Sequence, residues 1–124
     1  MPGSRIVHKE VGDRRTTDGA TYVLISYLLA DNCKADVRAV VIAKATTAEA
    51  AYFDRVAACK RTTGSQATLI DLTIDVVAAR KDAGALSWAA GINVSENSVV
   101  IQITGEAGKT IDWMGFAEFF VNAE

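Results

Sequence analysis

A chain of 124 residues, half of them hydrophobic and 23 % charged, is sized for one soluble globular domain that buries roughly two-thirds of its unfolded surface. A net charge of −2 leaves no basic footprint for nucleic acid. Cys33 and Cys59 have no histidine or further cysteine beside them, so they read as reduced, buried small hydrophobes and not as a zinc site or disulfide framework.

The N-terminal segment MPGSRIVHKEVGDRR lacks the apolar core of a secretory signal. Residues 1–20 are polar and carry turn signals at Gly12-Asp13 and Thr16-Thr17-Asp18-Gly19. Within them, residues 5–11 suit a short edge strand or an arm ordered by a neighbour, and Arg14-Arg15 forms a basic point in a solvated loop. Next, TYVLISYLL (21–29) is β-branched and aromatic, and ends at Asp31-Asn32. It reads as a strand, and its two apolar faces place it centrally or under cover on both sides. It lies in the longest uncharged apolar stretch, GATYVLISYLLA, which is too short to span a bilayer, for which about 20 residues are needed.

Residues 36–45 alternate, with Val37, Ala39, Val41, Ala43 and Ala45 on one face. Residues 47–61 carry two signals. Thr47, Glu49, Lys60-Arg61 and Gly64 are placed to cap, charge and stop a helix, and local propensity favours one. A strand would instead align Ala51, Phe53, Ala57 and Cys59, interrupted by Arg55. After the turn Thr62–Ser65, QATLIDLTIDVV reads as one strand or two short ones. Lys81–Gly84 is a further turn, residues 85–94 form a strand around Trp88, and Ser95-Glu96-Asn97 is a turn. SVVIQIT (98–104) sends Val99, Ile101 and Ile103 inward. In residues 111–121, Ile111, Trp113, Ala117, Phe119 and Val121 share a face. Strands of this length between Gly, Asn and Asp turns predict an all-β fold. We expect one antiparallel β-sandwich, jelly-roll or Ig-like, over 21–124, with an extended N-terminal arm or edge strand over 1–20.

Few residues offer chemistry. TGEAGKTIDW (104–113) contains Gly-Lys-Thr, but a phosphate-binding loop needs a first glycine at position 103, which is Ile103. A strand, not a helix, follows. The stretch therefore reads as a hairpin with Gly105 and Gly108 at positive φ and Lys109 exposed. His8 is the single histidine and reads as a surface residue; no G-x-S-x-G elbow and no calcium loop occur. Acid pairs such as Asp71/Asp75 and Glu118/Glu124 are expected by number alone in a chain with 15 acids. Trp88, Trp113, Tyr22, Tyr27 and Tyr52 supply material for a sugar platform, although tryptophans in a sandwich more often fill its core. Phe116 and Phe120 fall on the face opposite the core, with Asp112 and Glu118. Cover by another subunit is the natural way to hide them.

The order of segments 39–70 (AVVIAKATTAEAAYFDRVAACKRTTGSQATLI) and 82–113 (DAGALSWAAGINVSENSVVIQITGEAGKTIDW) resembles a recurrent β-sandwich module of tailed-bacteriophage virion proteins. Its pattern is a strand with a Phe-Arg pair closing in K-R-x-x-G, an A-x-L-I strand, x-W-x-A, and N-x-V-x-I-x-I-T-G-x-A-G-x-T-I-x-W. The resemblance implies that residues 49–61 are a strand, and that the protein is not an enzyme. It implies a capsid decoration (cement) protein that stabilises the phage shell; the alternative is a tail or tail-fibre module recognising host glycan or a neighbouring tail protein. The expected partners are further copies of the chain, as a trimer, and the major capsid protein or other virion proteins, without nucleic acid or membrane. The expected place is the virion, assembled in the host cytoplasm. Phe116, Phe120, Arg14 and Arg15 are the candidate contacts; no catalytic, cofactor or metal residue is expected.

Overall fold

In a computed structural model, residues 5–70 and 74–123 are described. Among them, nine strands form two antiparallel sheets packed face to face, an all-β sandwich. The larger sheet contains β1 (Arg5–Thr16), β9 (Ile111–Ala123), β3 (Cys33–Ala45) and β4 (Ala50–Arg61) in that spatial order. Beyond β4 lie β5 (Thr68–Leu69) and β6 (Ile74–Lys81), each paired with β4. The smaller sheet has the order β2 (Thr21–Leu28), β8 (Ser98–Thr104), β7 (Ala89–Ser95).

Strict alternation explains the larger sheet. Every second residue of β3, from Cys33 to Ala45, is buried, and the predicted inward rows of β8 and β9 are buried as well. Registered rows set large rings beside small neighbours. Trp113 lies next to Ala43, Phe53 shares its row with Gly115 and Gly12, and Ala117 faces Ala39. Alanine in those positions lets the layers approach while Trp113, Trp88, Phe53 and Phe119 fill the space between them. Trp88 and Trp113 meet at a centroid distance of 6.2 Å, and Tyr27 stacks on Phe119 at 4.6 Å.

Residues 50–61 are a strand, against their local helix preference. β4 is paired along its whole length with β3, and Ala51, Phe53, Ala57 and Cys59 face the core. Gly64, suited to stop a helix, serves a turn instead: it and Ala48 take positive φ on either side of β4. Arg55 points inward, donates to the Ala90 carbonyl at 3.1 Å and pairs with Asp75 at 2.9 Å, which links β4 and β6 of the larger sheet to β7 of the smaller.

Several expectations need correction. β2 is not central: it is an edge strand paired only with β8, and within it only Ile25 is fully buried. Gly12-Asp13 is no turn but the middle of β1, which runs five residues past the expected strand end and carries Arg14-Arg15 within it. Gly12 is required there, because a Cβ would lie 2.5 Å from the Leu24 carbonyl oxygen, where a bulge in β2 crosses β1. Trp88 precedes β7 instead of lying within it. Residues 105–110 are no hairpin, because β8 and β9 belong to different sheets; they cross from one layer to the other.

Candidate docking surface

Since side chains alternate along a strand, burying one row of each strand of the larger sheet leaves the other row facing away from the core. That outer row is unusually apolar. One cross-strand row holds Met114, Ile42 and Tyr52 between Asp13 and Arg80; the next holds Val11, Phe116, Val40 and Val77, with the buried Asp54 between the last two. A charged row follows with Lys9, Glu118 and Arg38, and then Val7 and Phe120. Val11 is 84 % exposed, Met114 67 %, Phe120 48 % and Phe116 39 %. Between Val11, Val40, Ile42, Met114 and Phe116 lies an open depression of about 580 Å³. The outer face of the smaller sheet differs: there Thr21 hydrogen-bonds Thr104 at 2.9 Å, and Gln102 accepts from Asn93 at 3.5 Å.

Three ion pairs on this face close within the chain, while Asp13, Asp36 and Lys44 share the face outside those pairs. Arg15 donates to both carboxylate oxygens of Asp112, at 2.7 and 3.1 Å, which raises the guanidinium pKa and lowers that of the carboxyl. Arg38 holds Asp54 in the same two-pronged way at 3.0 and 2.7 Å. Lys9 lies 3.3 Å from Glu118. Each pair is neutral in itself, and all but Asp54 stay in reach of solvent.

Of the four candidate contacts, Phe116, Phe120 and Arg15 share this surface. Arg14 does not. Adjacent in the strand, it points to the other side, where its guanidinium lies 4.2 Å from the centroid of Tyr22 and donates to the Val23 carbonyl at 3.4 Å. Arg14 ties β1 to β2, while Tyr22 in turn donates to Asp18 and lowers the pKa of that carboxyl.

The other residues singled out in sequence are structural. Lys109 is not exposed: its ammonium lies 2.7 Å from Glu49 Oε1, donates to the Gly84 carbonyl at 2.8 Å and sits 3.8 Å from Glu106. Lys109 brings the Glu49 pKa down to about 2, helped by the Thr47 hydroxyl, and its own pKa rises in return. Glu106 accepts from the Trp88 indole at 3.1 Å. The Gly-Lys-Thr stretch is therefore a latch between the two layers. Gly108 takes positive φ, whereas Gly105 is there for space, with a Cβ position 2.7 Å from Thr16 Oγ1.

Trp88 and Trp113 are buried and present no stacking face to a sugar. His8 is half-buried, not on open surface. Its ring packs on Tyr27 and Phe119 at 4.8 and 6.0 Å, and Nε2 lies 3.3 Å from Glu10. Asp75 and Glu118 each pair with a base, while Asp71 and Glu124 lie outside the described residues. Cys33 and Cys59 are both buried free thiols, and burial pushes that of Cys59 up to about 11. Among the described residues no cluster of His, Cys, Asp and Glu is arranged to hold a metal.

Val11, Ile42 and Met114 were not singled out in sequence as contacts. Alternation marked residues 36–45 as two-faced, yet nothing local placed Ile42 beside Met114 or β1 beside β9. Compared with known proteins, the chain matches no family model and no curated protein. What the outer face does has to be argued from its own chemistry.

Proposed function

We propose that this chain is a non-enzymatic structural protein that works by docking, and that it serves as a capsid decoration protein of a tailed bacteriophage. The observation that carries the docking half is the apolar outer face of the larger sheet. A sandwich already has its core between the sheets, so a second row of Val, Ile, Met and Phe adds nothing to the fold's own burial and is an aggregation risk unless covered. The decoration half rests on the sequence resemblance to virion modules. Mechanistically, a protein that binds only the assembled shell stabilises it by mass action, by about 2.7 kcal/mol per site at a hundredfold excess over Kd.

The test is mass spectrometry of purified particles, followed by heating of particles with and without the protein. The expected result is its presence at a fixed stoichiometry on the head and earlier shell rupture in its absence. Absence from particles overturns the proposal. Location at the tail transfers the docking role to a neighbouring tail protein.

A further inference from the structure

Resting on the reading of the outer face as a docking surface, we infer that its occupant is a second copy of this chain, the two sandwiches stacking back to back through their larger sheets.

Size is the first argument. Five strands abreast at about 4.8 Å span about 24 Å, and a strand of β9's length adds about 40 Å, so the face covers on the order of 900 Å². That matches the roughly 800 Å² per partner of a standard stable interface. The two apolar rows through Met114 and Phe116 lie side by side, with Arg15–Asp112 beyond one and the Lys9–Glu118–Arg38 row between the other and Phe120.

Charge is the second. Arg15–Asp112, Arg38–Asp54 and Lys9–Glu118 are each closed within the chain. Outside those pairs the face carries charges of both signs, among them Asp13, Asp36, Lys44 and Arg80, so it is not the single-sign surface that a charged partner would select.

Geometry supplies the third. A two-fold contact uses one patch on both copies and so covers both exposed faces at once. The three-fold ring expected from sequence joins two different patches head to tail. Among the described residues the outer face of the smaller sheet carries Thr21, Thr104, Asn93 and Gln102, with exposed Val23 and Leu28 only along its β2 edge, and so offers no apolar surface of comparable extent. The stack also resembles the sheet-on-sheet packing already inside each sandwich.

The test is light scattering over a tenfold dilution series on the full chain, with Phe116→Ser and Val11→Lys as variants and Val23→Ser on the smaller sheet's outer face as control. Val11 is almost wholly exposed, so Val11→Lys reads out association even if Phe116→Ser compromises folding. We expect a dimer whose Kd rises on the order of thirtyfold or more in either interface variant and is unchanged in the control. A monomer throughout, a trimer, or a dimer indifferent to both variants, as pairing through the free edge of β1 would give, overturns the inference. Adding the Val11→Lys chain to particles lacking the protein separates the two proposals: binding retained by a monomeric variant leaves the decoration role standing, and a stable dimer that never binds particles removes that role alone.

Discussion

Thr16→Val tests the account of how the edge strand is tied to the core. Trp113 Nε1 donates to Thr16 Oγ1 at 2.9 Å, and both residues are buried, at 1 % and 3 % exposure. Valine has nearly the volume of threonine, so the substitution removes the acceptor without opening a cavity. What remains is a buried indole N–H with no partner, which costs about 1–3 kcal/mol. Unfolding entropy of roughly 2.1 cal/mol/K per residue over this chain converts that to a fall in Tm of about 4–12 °C. Urea and thermal unfolding followed by tryptophan emission measure it directly, since both indoles are buried. The same change in a Trp113→Phe background provides the control, because phenylalanine has no N–H to leave unsatisfied. There the effect of Thr16→Val is expected to fall below about 0.5 kcal/mol. An equal loss in both backgrounds, or almost none in the native one, refutes the reasoning.

Three further outcomes are expected. Gly12→Ala drives a Cβ to 2.5 Å from a backbone oxygen of β2 and destabilises by about 1–3 kcal/mol in denaturant, while Gly19→Ala, with 3.7 Å of clearance, is tolerated. Glu49 is depressed from 4.5 to about 2, so its contribution is complete above the unfolded value and is lost as pH falls from about 4.5 through 2. Urea midpoints should show that decline in the native chain and a weaker one in Glu49→Gln; identical slopes would show that the Lys109 latch is not what lowers it. The Cys33 and Cys59 thiols are expected to stay unreactive toward a water-soluble disulfide reagent in the native protein and to react in denaturant, with rapid native labelling contradicting their burial.

Legibility in the sequence tracked how local each feature is. β3, β8 and β9 announce themselves through alternation, because one face of each meets the core and the other does not. Residues 50–61 did not, since alanine, arginine and lysine suit a helix until β3 and the strands beyond claim both edges of the strand. β2 misled in the opposite direction: its outward Val23 and Leu28 are exposed, while the bulge at Leu24 packs over Gly12 and Gly115. Of the candidate surface, Phe116 and Phe120 were readable as the wrong face of a core strand, and Arg15 was found beside them. Arg14, its neighbour, was sent to the other side by the two-residue period of a strand.

What the sequence determined by itself was the fold class, the inward rows and the phenylalanines left outside, because each follows from the period of a single strand. Tertiary structure alone decided that residues 105–110 pass between layers, that Lys109 closes a latch with Glu49, and that Val11, Ile42, Met114 and Phe116 form one surface. Those facts depend on which strands lie side by side. Strand pairing joins residues far apart in sequence, β1 with β9 most of all, and no local pattern encodes a neighbour that lies some hundred residues away.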